Sequence, residues 1–322
     1  MGRRRPVWQA ALTGAVVGTL PDLDVFIDKG DAIRNMVLHR AETHAFFWQA
    51  LATPFIAGLL ALLTGSRELY GRWCLMVLLG LFTHSLLDGA TVYGTQLGLP
   101  FSNYPFGMAS LFIIDPLYTL PLLVGLIGAL IIRTPRRFHW NTAGLVISIL
   151  YAGWAIAAQA HVTDKAVLTA RAQGLPTENI LVTPTPFNTL LWRVVVMGDE
   201  HYHEGFYSLL DAHEHGREPI SFAAHPRGAA LDERTAGFAD ADLIRRFSKG
   251  FYSLADDGRH VRITDLRMGQ HPHFAFAFAF AEHQSEPLLA IEPIRFTQRM
   301  PVDRGLDWLW RRMLGERLPP PA

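Results

Sequence analysis

The sequence contains a single cysteine, Cys74, which lies within an apolar stretch. One cysteine cannot form a disulfide within the chain, and it cannot supply the several thiolates of a structural zinc site. Any metal ion bound by the chain must therefore be held by histidine and carboxylate side chains. A nitrogen and oxygen ligand set of this kind suits zinc, manganese or iron.

Several common enzyme motifs are also lacking. No Gly-x-Ser-x-Gly elbow and no Walker-type phosphate loop occurs. The histidine-rich stretches His201–Glu204 and His213–His215 do not form an H-E-x-x-H motif, because Arg217 stands where the second histidine is needed. We expect these to be surface or strand histidines. The formal net charge of +0, without a basic stripe, argues against a nucleic-acid partner.

Charge is distributed unevenly along the chain. The first 160 residues contain 11 of the 29 Lys and Arg residues and 8 of the 29 Asp and Glu residues, so most of the charge lies in the second half. This division predicts a polytopic α-helical membrane domain at 1–160 and a soluble α+β domain at 161–322.

Five apolar segments are candidates for membrane spans, and about 20 apolar residues are needed to cross the hydrocarbon. They are Val7–Leu20, which continues through the sequence PDLD to Ile27, and Ala45–Leu63, Trp73–Leu87, Leu111–Ile132 and Gly144–Ala160. A basic start followed by a short apolar run is also typical of a signal peptide. The absence of a clear cleavage site, together with the PDLD sequence that follows at once, favours a first membrane helix.

Arginines mark alternate ends of these segments. They form three groups: Arg3, Arg4 and Arg5; Arg67 and Arg72; and Arg133, Arg136 and Arg137. Because positive charge accumulates on the cytoplasmic side, all three groups are expected there. An odd number of spans then places residues 161–322 outside the cytoplasm of a bacterial-type inner membrane.

Ligand-type side chains collect at the opposite, outer ends of the predicted spans. His84 and Asp88 in LFTHSLLD are four residues apart, so on a helix they point the same way one turn apart. His39 and His44 in HRAETH are five apart and cannot both face one ion from a regular helix, so either His39 lies in the loop or a helix begins after it. The predicted metal ligands are Asp22, Asp24, His39, His44, His84, Asp88 and Asp115.

Each of these residues has an ordinary structural alternative. A single histidine is often a hydrogen-bonded core residue, Asp115 before Pro116 is typical of a helix N-cap, and PDLD can be a solvated turn. Thr43 or Glu42 can cap a helix, and Arg40 can either hold a phosphate or extend to lipid headgroups. Together, seven ligand-type residues at one end of a helical bundle favour a metal site.

More than four ligands imply more than one ion. Carboxylates that bridge two ions about 3.5–4 Å apart are the usual arrangement for phosphoester hydrolysis. In this interpretation Asp24 or Asp115 serves as general base, and Arg40 binds the phosphate. The substrate is a small molecule or a lipid, such as a lipid-linked phosphoester that reaches the site from the surrounding membrane lipids.

The sequences PDLD, HRAETH, THSLLDGATVYG and FIIDPLY resemble the YdjM-like family of inner-membrane metal-dependent hydrolases over roughly residues 10–135. That family is distantly similar to zinc-dependent phospholipase C and to the single-strand-specific zinc nucleases, which are all-α. The resemblance implies a zinc-dependent hydrolase in which His84 and Asp88 match an H-x-x-x-D pair and His39 and His44 match the HR-x-x-TH ligands.

Two other functions remain open. One is a non-catalytic membrane protein with a structural metal clamp and a partner-binding outer domain. The other is a transporter, which would need polar residues along the whole depth of the spans, and the inner halves lack them.

The second half has the alternating patterns of strands. Strands are predicted at Ile180–Val182, Leu190–Met197, Phe206–Leu210, Val261–Leu266 and Phe274–Ala281, and amphipathic helices at Ala239–Tyr252 and Val302–Leu314.

Overall fold

A computed structural model describes residues 6–212, 220–283, 288–296 and 301–321. The chain divides into two compact units. The helical unit contains Met1–Lys29, Leu38–Met108 and Asp115–Ala152, and the sheet unit contains Gly30–Val37, Ala109–Ile114 and Gly153–Ala322. The arginines at positions 3–5 and the His213–His215 stretch lie outside the described residues.

The α-helices are α1 (Val7–Thr19), α2 (Ala32–Val37), α3 (Phe46–Leu63), α4 (Tyr70–Ala90), α5 (Pro116–Ile131), α6 (Arg137–Ala172), α7 (Ala230–Arg234), α8 (Ala239–Phe247) and α9 (Val302–Met313). Short 3-10 turns occupy Pro21–Phe26, Glu42–His44 and Arg67–Leu69. The turn at Pro21–Phe26 begins with the PDLD sequence, where Pro21 interrupts the helical pattern directly after α1.

The helical unit is organised around the hairpin of α3 and α4, whose short connection makes the two helices neighbours. Its buried interior contains Ala57 and Ala61 of α3, three apolar residues of α4, and Val17 of α1. A Cβ added at Gly80 would lie 3.1 Å from Val17 Cγ1, so this glycine lets α1 pack closely on α4. The hairpin therefore brings the end of α1, the start of α3 and the end of α4 together.

Three segments are long and apolar enough to cross a membrane in the part of the chain that the structure describes: Phe46–Leu63, Arg67–Ala90 and Arg137–Ala172. Their outward surfaces are apolar, as Phe55 illustrates with 74% of its surface exposed. The predicted spans Val7–Leu20 and Leu111–Ile132 form shorter helices, with 13 residues in α1 and 16 in α5. The predicted number of five spans is not confirmed.

Helix α6 is longer than the predicted span Gly144–Ala160. It has 36 residues and continues across the predicted domain boundary at residue 160 without interruption. The reason is local: the polar stretch after residue 160 contains no proline or glycine before Gly174, whose φ of +69° ends the helical path. A change in polarity along the sequence therefore does not coincide with the end of this helix.

The sheet unit contains two four-stranded antiparallel sheets, as expected for an α+β domain. The first consists of β1 (Ile180–Pro184), β2 (Leu191–Met197), β3 (His201–Ser208) and β4 (Ala223–Pro226), paired in that order. The second consists of β5 (Tyr252–Asp256), β6 (His260–Gln270), β7 (His273–Glu282) and β8 (Leu289–Phe296). His201 and His203 lie on β3, in agreement with the expectation of strand histidines.

One predicted helix in this unit is shorter than expected. The amphipathic pattern at Ala239–Tyr252 forms α8 only as far as Phe247, and Tyr252 begins β5. Lys249 and Gly250 adopt positive φ angles of 57° and 84°, which reverse the chain between the two elements. Gly250 is the feature of the sequence that indicates an end of α8 before Tyr252.

Candidate metal centre

Four side chains from three segments of the helical unit converge on one point. They are Asp22 in the first 3-10 turn, His44 at the end of the second, and His84 and Asp88 on α4. Each offers one ligand atom, and these four atoms all lie within 4.8 Å of one another. The predicted pair of His84 and Asp88 on α4 is therefore accompanied by Asp22 and His44, one from each of the two 3-10 turns.

The distances between the donor atoms suit a single ion. His44 Nε2 lies 3.1 Å from Asp88 Oδ2 and 3.4 Å from Asp22 Oδ1, and His84 Nε2 lies 3.3 Å and 3.4 Å from the same two oxygens. The two Nε2 atoms are 3.3 Å apart. Ligands tetrahedrally arranged about 2.0–2.1 Å from a zinc ion are separated by about 3.3–3.4 Å.

The group is buried on one side and open on the other. His44 is fully buried, and the side chain of Asp88 is 12% exposed. The side chain of His84 is 18% exposed and that of Asp22 is 49% exposed. A ligand from outside the protein can therefore approach along the Asp22 side.

The donor chemistry fits a divalent cation. Asp88 Oδ2 is buried and has no hydrogen bond, although two imidazole nitrogens lie within 3.3 Å of it. The three atoms are thus close together but are not aligned as donor and acceptor. Two imidazoles and two carboxylates without sulfur form a ligand set that suits zinc, manganese or iron.

A second layer of contacts orients His44. The Thr43 hydroxyl donates to Asp24 Oδ2 at 2.9 Å and lies 2.9 Å from His44 Nδ1. Because the hydroxyl hydrogen is used toward the carboxylate, Thr43 Oγ1 accepts a hydrogen bond from His44 Nδ1–H. The Nε2 lone pair of His44 is then directed to the group, which is how outer-shell partners set the tautomer of a metal-binding histidine.

Asp24 is the centre of this second layer. It is buried and also accepts the backbone N–H of Arg40 at 3.0 Å, while its Oδ1 lies 2.8 Å from His39 Nδ1. The ring centroids of His39 and His44 are 6.1 Å apart. Asp24 and His39, both predicted as ligands, therefore lie beside the four-residue group and not within it.

Arg40 does not extend toward lipid headgroups. It is only 5% exposed, donates to Thr91 Oγ1 at 3.2 Å, lies 3.3 Å from Asp88 Oδ1 and covers the Tyr93 ring. Its φ of 62° is uncommon for a residue with a side chain, and the backbone contacts to Asp24 and Gln96 hold it there. The guanidinium compensates part of the negative charge of Asp88.

Two shifts in pKa follow from these contacts. Hydrogen bonds from His44 and His84 hold the pKa of Asp22 well below its usual range. Burial opposes the charged form of His44, but its contacts with Asp22 and Asp88 raise its pKa above the ordinary 6.5. Protons and a metal ion therefore compete for the same His44 nitrogen.

Asp115 has the contacts of a helix cap. Its Oδ1 accepts the N–H groups of Leu117 and Tyr118 at the start of α5, and its Oδ2 accepts the Tyr151 hydroxyl at 2.9 Å. No described contact connects it to the four-residue group. Its predicted role as ligand or base stays a prediction.

Some residues of the site were not singled out by sequence reasoning. Gln49 of α3 donates to Thr43 O and to Ser85 Oγ of α4, which ties the HRAETH turn to both helices. Thr43 had been considered only as a cap. The signal for Gln49 and Ser85 was present, because a polar side chain within an apolar span requires a partner.

The helices and the site define an integral membrane protein with a His and Asp cluster at the end of a helical hairpin. The family model described as YdjM inner membrane protein matches residues 1–162, half of the chain, and the chain belongs to this family. No curated protein and no solved structure matches it.

Proposed function

We propose that this protein is a membrane-bound, metal-dependent hydrolase of phosphoesters. The observation that carries the proposal is the set of five donor distances between 3.1 and 3.4 Å around Asp22, His44, His84 and Asp88. A divalent ion bound there would supply a Lewis acid and lower the pKa of a bound water toward about 7.

Metal ligands and proton-handling groups are separate in this proposal. Asp22, His44, His84 and Asp88 hold the ion, and Arg40 positions Asp88 and limits its negative charge. Asp24 acts through His39, whose Nδ1–H it accepts, so that the other ring nitrogen is available to take a proton from an attacking water. His39 is suited to this role because its side chain is 25% exposed, whereas Asp24 is buried.

The membrane arrangement is part of the same proposal. The three long apolar helices cross the bilayer, and the shorter α1 and α5 complete five spans. Arginine placement in the sequence then puts the metal centre at the outer face and the sheet unit outside the cytoplasm. A lipid or lipid-linked substrate would reach the centre from within the bilayer.

A structural metal clamp is the alternative. Structural zinc is normally closed by four protein ligands, and four are present here. The half-exposed Asp22 favours catalysis, because a closed structural site has no need for an accessible edge.

The experiment is metal analysis of detergent-purified protein, followed by assays on 4-nitrophenyl phosphate and bis(4-nitrophenyl) phosphate. We expect a bound divalent metal and hydrolysis that is lost with a chelator and restored by the metal. The His39→Gln variant should keep the metal and lose most of the activity. Protein that keeps its metal and cleaves neither ester would support the structural clamp.

A further inference from the structure

A groove of about 540 Å³ lies in the helical unit, next to the metal centre. Its walls are mostly apolar and come from α3, from Leu81 of α4, from Leu20 and Pro21 after α1, and from the turn at Glu42–His44. The apolar lining residues include Leu20, Leu51, Ala52, Phe55, Ile56 and Leu81. Its size is that of a pocket for a small molecule.

The groove has one polar end, and that end adjoins the metal ligands. Glu42, Thr43 and Gln49 line it, and the Glu42 carboxylate lies 3.5 Å from Lys29 Nζ, which offsets its charge. Pro21 and Thr43 on the groove wall immediately precede Asp22 and His44 in the chain. Thr43 is also hydrogen-bonded to His44. A molecule in the groove would thus place one end beside the ion and the rest along α3.

The other end runs along a helix that faces hydrocarbon. From Trp48 to Ile56, α3 rises by about 12 Å, and Phe55 on the groove wall is largely exposed. Because lipid tails are as apolar as this wall, the groove gains little affinity from the hydrophobic effect. The groove instead contributes by orienting the bound molecule, because it aligns a hydrocarbon chain so that the attached headgroup lies at the metal centre.

At the polar end of the groove, the side-chain oxygen of Gln49 is buried and has no hydrogen-bond donor among the described residues. Gln49 lines the groove and is only 3% exposed, and its Nε2 donates to Thr43 O and Ser85 Oγ. A carbonyl oxygen can only accept, so the amide orientation is fixed. Gln49 Oε1 is therefore a buried acceptor with no donor among the described residues.

We infer that the groove holds one hydrocarbon chain of a membrane lipid that carries a phosphoester headgroup. The inference rests on the proposed function, since it names the substrate class of the same centre. The phosphoester lies at the Asp22 side of the centre, the chain lies along α3, and a headgroup hydroxyl or amine donates to Gln49 Oε1.

Photo-crosslinking tests the location of the chain without any turnover. The probe is a hexadecylphosphonate with a diazirine in the middle of the chain, which cannot be hydrolysed, applied to metal-loaded protein in detergent. We expect labelling to concentrate on the peptide that contains Ala52 and Phe55, and we expect hexadecanol with the same diazirine to label it much less.

A matched pair of variants on α3 decides the assignment. Ala52 lines the groove, whereas Ala50 is exposed on the same helix and does not. Ala52→Trp should reduce labelling of this peptide by about tenfold because the bulky ring clashes with the chain, and Ala50→Trp should leave it unchanged. Ala52→Leu, a smaller change, should give an intermediate reduction if Ala52→Trp does not fold.

Each result has a distinct meaning. Labelling spread evenly over the lipid-facing surface, labelling equal in the two Trp variants, or equal labelling by hexadecanol would overturn the groove assignment even if the protein cleaves phosphoesters. Specific labelling in a protein that cleaves no phosphoester would keep the chain site and refute the hydrolase.

Discussion

The two units treat their buried carboxylates differently. In the sheet unit, three of the buried acids are each matched by one buried arginine: Glu204 by Arg193, Asp211 by Arg312, and Asp265 by Arg267. These pairs are also hydrogen-bonded to neighbouring backbone, as Arg312 is to Phe206 O and Arg193 to Leu266 O. Charge is balanced within the protein, and no additional cation is needed.

The helical unit leaves the balance incomplete. Asp22 and Asp88 face two imidazoles, and the only arginine described beside the group, Arg40, contacts just one carboxylate oxygen of Asp88. Because the pKa of His44 is raised, a proton can supply positive charge here, and a metal ion would compete with it for the same nitrogen. The arginine pairs thus balance their own charge, whereas the imidazole-lined group depends on a proton or a cation for its balance.

The largest effect is expected from the group itself. His84→Ala or Asp88→Ala should reduce bound metal to background, because each change removes one of the four donor atoms. The matched control is Asp115→Asn, an acid of the same unit with the contacts of a helix cap, which should keep its metal. Elemental analysis of detergent-purified variants decides this, and loss of metal in Asp115→Asn would instead support the sequence-based role of Asp115.

The arginine pairs should behave in the opposite way. Asp211→Ala leaves the buried Arg312 charge uncompensated, so it should lower the free energy of unfolding by about 3–5 kcal/mol. Bound metal per folded chain should stay unchanged. Asp307→Ala, which removes an exposed partner of Arg311, is the control and should have no measurable effect on denaturant unfolding.

The Thr43 hydroxyl, which links Asp24 to His44, gives a smaller expected effect on metal binding. Thr43→Val removes the bond that fixes the His44 tautomer, so metal affinity should fall about 10–100-fold, as for other outer-shell substitutions. Thr83→Val on α4 removes only hydrogen bonds to the backbone carbonyls of Leu79 and Gly80 in the preceding turn, and it should bind metal normally. Competition titrations with a metal chelator measure the metal affinity of both variants. Equal affinities would contradict a role of the Thr43 hydroxyl in orienting His44.

Acid should weaken metal binding gradually. His44 must be neutral to bind a metal, and its pKa lies above the ordinary 6.5, so a proton competes with the ion at neutral pH. Affinity should therefore rise with pH up to that pKa, by about tenfold for each pH unit for a single competing proton, and then level off. Titrations between pH 6 and pH 8, about the range in which histidine changes charge, test this. An affinity independent of pH would exclude His44 as a ligand.

Four of the seven predicted ligands lie together in the candidate group, and the sequence signals for them are local. The one-turn spacing of His84 and Asp88 at the end of an apolar run predicted the pair, and the five-residue spacing of His39 and His44 predicted that His39 lies in a loop or that a helix begins after it, as α3 does at Phe46. Neither spacing could show which acids lie beside His44. That depends on how the turns at Pro21–Phe26 and Glu42–His44 pack on α4.

Two further differences from the sequence expectations have separate origins. Asp24 has the same residue type and nearly the same position as Asp22, yet it is hydrogen-bonded to Thr43, His39 and the backbone of Arg40 and lies in the second layer. Contacts between distant segments therefore decide the position of Asp24. The length of α6, in contrast, depends on the local lack of a helix breaker after residue 160 and not on polarity.

X-ray absorption spectroscopy at the absorption edge of the bound metal most directly tests whether Asp22, His44, His84 and Asp88 bind the ion. Two imidazoles and two carboxylates predict a first shell of only nitrogen and oxygen at about 2.0–2.2 Å, with outer-shell scattering from two imidazole rings. Sulfur scattering at about 2.3 Å, or a spectrum without imidazole contributions, would contradict it.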